Sequence, residues 1–285
     1  MNKNDWEELV KKYDDDYNNY VNELEKQKQM LYTYRDLYNN QVSLINAERV
    51  AMRYEINDLY SFLKNVGGNI GKNIDIFEFD NEDFAPVFIQ SIVLQLEKPV
   101  LKDEFGIFNI NIKGMQNSAE NKDKKLDFQV AVDKQRMEYT KSLQQIKNEI
   151  KYLTDIVKIA EIYRNTIIMV KDCIRYRVIP EADLIESFLY ADAIRESIVE
   201  NNEISSLIVP CDFNEYRGSI YDLHVRFIEN AFDFYKLCTS FFKNKVLTNI
   251  IADKKVSHEE KDLFMKQVES IRYSMNKMEV QKVIC

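Results

Sequence analysis

The fold is decided by a stretch that runs from Trp6 to Ile45 and reads WEELVKKYDDDYNNYVNELEKQKQMLYTYRDLYNNQVSLI. It contains neither Gly nor Pro, and apolar or aromatic side chains recur in it at alternating steps of four and three residues. This spacing places them on one stripe of an α-helix and is typical of a coiled-coil seam. The stripe is formed by Trp6, Val10, Tyr13, Tyr17, Tyr20, Leu24, Leu31, Tyr34 and Tyr38.

The pattern has two regimes within residues 1–65, which we predict to be a single long N-terminal helix. One heptad row stays apolar to Leu59, whereas the second row weakens after Gln41 and shifts by one position, to Val42, Ile56 and Leu63. A straight helix drifts in this way against a strict heptad, because its period is 3.6 residues and not 3.5. The first half therefore predicts a seam, and the second half predicts a helix that lies on a broader core. Gly67 and Gly68 predict the end of the helix.

In residues 66–132 the helical spacing of apolar residues gives way to alternation. Apolar and polar residues alternate in or around Ile74–Ile76, Phe108–Ile112 and Leu126–Val132, and Val87–Leu96 is a short, mostly apolar run. These patterns predict an inserted small antiparallel β-sheet of about four strands. Asp80, Glu82 and Asp83 lie between Ile74–Ile76 and Val87–Leu96. Their spacing is not that of a calcium-binding loop, so we interpret them as part of a solvated loop.

The helical period returns at Asp133 and predicts a second long helix over residues 133–179. Pro180 predicts a break, and residues 180–285 are expected to form a C-terminal helical bundle. Within it, Asp212 with Glu215 and Ser257 with Glu260 have the spacing of capping boxes. The predicted fold class is α+β, mainly α: a long, coiled-coil-like antiparallel helical hairpin with the inserted sheet and the bundle.

The distribution of charge favours pairing of the two long helices. Residues 1–65 hold 9 Lys and Arg against 12 Asp and Glu, and residues 133–179 hold 10 against 6. The formal net charge of the whole chain is -8, which disfavours nucleic acid and anionic membranes as default partners. The basic run Arg164, Lys171, Arg175 and Arg177 is the alternative candidate for a nucleic-acid contact. We prefer to interpret it as a helix face paired with acidic neighbours.

No local motif predicts catalysis. The run from Gly67 to Asn73 is one residue short of a phosphate-binding loop, and Asn73 replaces the hydroxyl that such loops use for Mg²⁺. The chain has only two histidines, His224 and His258. A catalytic site would require Cys211, Asp212 and His224 to lie close together in the fold. We predict no catalytic residue, no cofactor and no metal ligand.

The sequence therefore predicts a non-enzymatic structural or interaction subunit of a multiprotein or homo-oligomeric assembly. The partner contact is expected on the N-terminal helix, from Trp6 to Tyr38. The alternatives are a nucleic-acid-associated component of a phage, chromosome or defence complex, and an enzyme with a convergent Cys/His site. No apolar h-region and no run of eighteen apolar residues occurs in the sequence, so we expect no membrane association and a cytoplasmic location.

Overall fold

The computed structural model describes residues 3–67, 74, 84, 120–199, 216–219, 222–253 and 256–280. Nearly all of these residues are helical. The helices are α1 (Lys3–Gly67), α2 (Glu120–Cys173), α3 (Ile179–Val199), α4 (Asp222–Phe242), α5 (Val246–Asp253) and α6 (His258–Val280). The predicted long N-terminal helix is confirmed, and it ends at Gly67 as expected.

The predicted β-sheet is wrong, because no strand occurs among the described residues. Leu126–Val132, predicted as a strand, lies inside α2. The alternation was misleading because Leu126 and Val130 are apolar but 62% and 60% exposed, while Val132 is buried. Val87–Leu96 and Phe108–Ile112 lie outside the described residues. The chain is mainly helical rather than α+β.

The chain divides into two compact units, and both long helices contribute to each of them. Unit 1 comprises residues 1–39 and 86–157, and unit 2 comprises residues 40–85 and 158–285. In the described part of unit 1, the first half of α1 and most of α2 are the only elements. In unit 2, the second half of α1 and the end of α2 are joined by α3 to α6.

Within unit 1 the two helices run parallel. The hydroxyl of Tyr13 is hydrogen-bonded to Gln135, that of Tyr20 to Ser142, and Tyr38 lies close to Tyr152. Residues later in α1 therefore meet residues later in α2. An antiparallel pair would show the opposite trend, so the predicted antiparallel hairpin is wrong.

The same direction holds within unit 2. Arg49 contacts Tyr163, and Glu55 forms an ion pair with Arg175. The antiparallel prediction assumed that consecutive helices fold back on each other, as they do across a short connection. Residues 68–119 intervene here, and a connection of that length permits either direction.

The predicted shift of the second apolar row is confirmed in unit 2. Val42, Ile56 and Leu63 are 2%, 0% and 0% exposed. The first row continues beside it with Ile45, Met52 and Leu59, all at 0%. Two adjacent buried rows give α1 a wider apolar face, and that face suits packing against several helices instead of one.

Pro180 does not end the helical path. A π-helical turn, Ile174–Val178, joins α2 to α3, and the N–H of Ile179 donates to the carbonyl of Ile174. Proline lacks an N–H and its ring collides with the carbonyl four residues earlier in an α-helix. A turn that is one residue wider relieves this collision, so the chain continues in helical conformation where the sequence predicts a break.

Helix α6 begins at a serine cap, and helix α4 begins after a glycine turn. The predicted capping serine is confirmed, because Ser257 Oγ accepts a hydrogen bond of 3.3 Å from the N–H of Glu260 and α6 starts at His258. Helix α4 starts at Asp222, whereas the spacing of Asp212 and Glu215, which lie outside the described residues, predicted a start about ten residues earlier. Gly218, at φ 77°, forms the preceding turn and donates its N–H to the Asp222 carboxylate at 3.1 Å. A positive φ of this size favours glycine.

Replacing Ser257 with Ala should lower the free energy of unfolding by about 1 kcal/mol, because the first turn of α6 loses a hydrogen-bond acceptor. Ser270→Ala is the matched control, since Ser270 is exposed in the interior of the same helix and, among the described residues, its hydroxyl donates to the carbonyl of Lys266 on its own helix. Alanine favours a helix interior, so this control should be neutral or slightly stabilising. Urea unfolding measures both changes, and equal losses would contradict the capping role.

Candidate partner-binding surfaces

The predicted contact stripe of α1 is largely covered by this chain's own second helix. Tyr13, Tyr20, Leu31 and Tyr38 are 3%, 6%, 0% and 0% exposed. Tyr17, Leu24 and Tyr34 are half-buried. Trp6 and Val10 belong to α1, but their side chains lie outside the described part of the structure. The heptad pattern located a helix–helix seam, and the helix that fills it is α2.

Aromatic stacking holds this seam together near its N-terminal end. The rings of Tyr20 and Tyr139 lie 4.1 Å apart at an interplanar angle of 9°, and Tyr17 approaches Tyr139 at 6.4 Å and 55°. An aromatic pair of this kind contributes about 0.5–1.5 kcal/mol beyond its buried area. Tyrosine suits this position because its ring fills the seam while its hydroxyl reaches the polar edge.

The seam tyrosines differ in how their hydroxyl groups are satisfied. Those of Tyr13 and Tyr20 are hydrogen-bonded to Gln135 and Ser142 of α2. Tyr38 is fully buried, and its hydroxyl has no hydrogen-bond partner among the described residues. Burial raises the pKa of Tyr38 above its ordinary value, and the neighbouring Tyr152 adds to this shift. Tyr38 therefore buries a polar group without compensation, which is a cost to stability.

Ion pairs between α1 and α2 confirm the predicted pairing of the two charge patterns. In unit 1, Asp16 accepts hydrogen bonds from Arg136. In unit 2, Lys171 donates to Glu48 at 2.7 Å, and Arg175 pairs with Glu55. The Glu55 side chain is only 7% exposed. A buried carboxylate needs a cation close by, so Arg175 has a structural role.

The four basic residues proposed for nucleic acid are therefore divided between different environments. Lys171 and Arg175 are engaged with carboxylates of α1. Arg164 and Arg177 are half-buried. Ion pairing leaves fewer free positive charges on this face than the sequence suggests.

Of the three residues that an enzyme would need to bring together, His224 lies within the described structure. His224 lies in α4, with Nδ1 3.7 Å from Glu181 Oε1 and its ring 6.0 Å from that of Phe188. Cys211 and Asp212 lie outside the described residues. Among the residues that the structure does describe, no group of three or more His, Cys, Asp and Glu could hold a metal ion.

An exposed apolar stripe on α2 was missed by the sequence analysis. Leu126, Val130 and Met137 are 62%, 60% and 73% exposed. Their spacing of four and then seven residues places all three on one side of the helix. Leu126 and Val130 were assigned to a strand, which hid this spacing. Two partly exposed residues of α1, Met30 and Leu37, are also seven residues apart.

Replacing Tyr38 with Phe should raise the free energy of unfolding by about 1 kcal/mol, because it removes a buried hydroxyl that has no partner. Tyr20→Phe is the matched control: the same substitution in the same seam breaks the hydrogen bond to Ser142 and should cost about 1 kcal/mol. Denaturant unfolding of both variants measures the difference in sign. A loss of stability in Tyr38→Phe would contradict the assignment.

The advantage of Tyr38→Phe should grow above pH 10. The native state holds the Tyr38 phenol neutral, whereas the unfolded chain ionises it near the ordinary tyrosine pKa of about 10. The contribution of this raised pKa to the free energy of unfolding is fully present below the unfolded-state pKa of about 10 and is lost as the pH rises above it. Unfolding curves at pH 8 and pH 10.5 test this. A difference in stability between Tyr38→Phe and the wild type that is the same at both pH values would contradict this prediction.

No described helix is long and apolar enough to cross a membrane. Comparison with known proteins adds no functional information: no family model, no curated protein and no solved structure matches the chain.

Proposed function

We propose that this protein is a non-enzymatic structural subunit that self-associates through the outer face of α2 in unit 1. The observation that carries this proposal is the stripe formed by Leu126, Val130 and Met137, three large apolar side chains that are each at least 60% exposed. Single exposed apolar residues are ordinary, whereas several on one helix face mark an interaction surface.

The architecture of unit 1 supports this proposal. Its described part consists of two helices that pack on each other, and two helices can bury only their facing sides. The apolar residues on the outer side of α2 therefore have no third element to cover them among the described residues. A second copy of the chain supplies such an element, because a two-fold dimer places the same surface of both subunits in contact.

Charged residues of both signs flank the stripe: Asp127, Asp133, Lys134 and Lys141 are all exposed. Two-fold symmetry places the same patch on both subunits in opposite directions. The apolar stripe of one copy then packs on that of the other, and the charged side chains remain at the solvent-accessible rim of the contact.

The position of the contact differs from the sequence prediction. The stripe on α1 that contains Tyr13, Tyr20, Leu31 and Tyr38 is occupied by α2, so a partner reaches it only if the two helices separate. A deletion of residues 1–45 would remove this stripe, but it would also expose buried α2 residues such as Tyr139 and Ile146. Point substitutions on the outer face avoid this problem.

The nucleic-acid alternative gains no supporting observation. Replacing Arg175 with Ala would leave the buried Glu55 without its cation, so a loss of binding could reflect a disturbed helix pair. Exposed lysines of α2 are a cleaner target for any binding assay.

The test is light scattering coupled to size exclusion, with the wild type and a triple variant Leu126→Glu, Val130→Glu, Met137→Glu. The wild type is expected to be a dimer, and the triple variant a monomer with unchanged helix content, because three carboxylates cannot be buried at the interface without partners. The residues are exposed, so their substitution should leave the thermal midpoint of the isolated subunit nearly unchanged.

The matched control carries Gln129→Glu, Gln145→Glu and Asn165→Asp, at positions that do not lie on the line of the stripe. It adds the same three negative charges to exposed polar positions of the same helix and should remain a dimer. A wild type that is monomeric at all accessible concentrations contradicts the proposal, as does dissociation of the control to the same extent as the triple variant.

A further inference from the structure

A single residue, Phe84, is held in unit 2 by contacts that resemble peptide recognition. The side-chain amide of Asn46 donates to the carbonyl of Phe84 at 3.0 Å, and its oxygen accepts from the N–H of Phe84 at 3.0 Å. One side chain thus satisfies both backbone polar groups of one residue. Domains that bind extended peptides read the backbone in this way, and they add a pocket for the side chain.

The pocket for the Phe84 ring is formed by a cation and an aromatic side chain. Phe84 is 6% exposed. The guanidinium carbon of Arg49 lies 4.6 Å from the centre of its ring, and Tyr163 packs against it edge-on at 5.4 Å and 83°. Both contacts favour an aromatic occupant, since the face of an aromatic ring attracts a cation and its edge or face packs against a second ring.

The walls of this pocket are held by contacts that do not involve Phe84. Arg49 also lies 4.4 Å from the ring centre of Phe242 and donates to the Tyr163 hydroxyl at 3.4 Å. Tyr163 stacks on Phe241 at 4.8 Å and donates to its carbonyl at 3.4 Å. The receptor groups therefore come from α1, α2 and the end of α4, and they are positioned by one another.

We propose that this is a docking pocket for an extended peptide segment centred on phenylalanine, and that Phe84 occupies it within the chain. A partner protein that presents such a segment competes with Phe84 for the same contacts. The internal occupant shows the chemistry that fits: a backbone N–H and C=O for Asn46, and an aromatic ring for Arg49 and Tyr163.

This pocket is independent of the self-association proposed above. All its described residues belong to unit 2, whereas the apolar stripe belongs to unit 1. A failure of one proposal leaves the other unaffected, because the first is read out by oligomeric state and this one by binding of a peptide.

The experiment uses a fluorescently labelled peptide with the sequence of residues 80–87, DNEDFAPV, in which Phe84 is the only aromatic residue. Fluorescence anisotropy measures its binding to the full chain carrying Phe84→Ala, in which the pocket lacks its internal occupant. Saturable binding is expected, at least about tenfold tighter than to the wild type, because the wild type must first release Phe84. The peptide with alanine in place of phenylalanine should not bind.

A second substitution tests the role of Asn46. In the Phe84→Ala background, Asn46→Asp keeps the acceptor for the peptide N–H but replaces the donor with an oxygen that repels the peptide carbonyl. Binding should weaken by about tenfold or more, which is the loss expected for one hydrogen bond. Asn57→Asp is the matched control, because Asn57 is exposed on the same helix, and it should bind the peptide normally.

The proposal is overturned if the Phe84→Ala chain is helical, unfolds cooperatively and still shows no saturable binding. Equal binding of the alanine peptide also overturns it. If Phe84→Ala does not fold, Phe84→Leu retains an apolar side chain that is a poorer occupant. The peptide should then raise the melting temperature of Phe84→Leu more than that of the wild type, and the absence of any rise would show that Phe84 is only a core residue.

Discussion

The structure depends on one constraint: within each unit, α2 packs on α1 in a parallel direction along a seam of buried side chains. Apolar heptads alone leave this pairing free to slide by seven residues or to reverse. The polar contacts remove that freedom, because Tyr13 meets Gln135, Tyr20 meets Ser142, and Asp16 meets Arg136. Each of these pairs is weak when it is exposed, yet each is lost if the helices shift. The direction and register of the long helices are therefore set by a few hydrogen bonds at the edge of an apolar seam.

The change in the apolar pattern of α1 and the division of the chain occur at the same place. The second buried row moves from the line of Tyr13 and Tyr20 to the line of Val42, Ile56 and Leu63, and the division between the units falls between Asn39 and Asn40. A two-helix seam needs one narrow stripe, whereas a helix within a bundle needs a broader face. A shift of one residue in the pattern changes the first into the second without interrupting the helix. The boundary between the units is therefore visible in the sequence as a change in the spacing of apolar residues, although α1 continues across it.

Features that depend on local chemistry could be predicted from the sequence, and features that depend on long-range pairing could not. The extent of α1, its two apolar rows and the cap at Ser257 follow from spacing and from the residue types themselves. The direction of α2 depends on contacts across more than a hundred residues. The error at Leu126–Val132 has a specific physical cause: apolar residues at positions 126 and 130 are exposed, so they broke the helical pattern of burial and imitated a strand. The burial of Phe84 could not be predicted from the sequence either, because no periodic pattern of apolar residues surrounds it.

Arg49 and Arg175 show two different ways of placing a cation against a buried surface, and the difference bears on function. Arg175 pairs with the buried carboxylate of Glu55, which gives the two helices a fixed contact. Arg49 is 8% exposed, and among the described residues it has no carboxylate partner. Its charge is compensated by two aromatic faces, those of Phe84 and Phe242, and by one phenol oxygen. Removal of Phe84 takes away one of these aromatic faces and leaves the guanidinium with Phe242 and the Tyr163 hydroxyl among the described residues. An empty pocket at this position is therefore unfavourable. An aromatic side chain that takes the place of Phe84 restores the cation–π contact with Arg49.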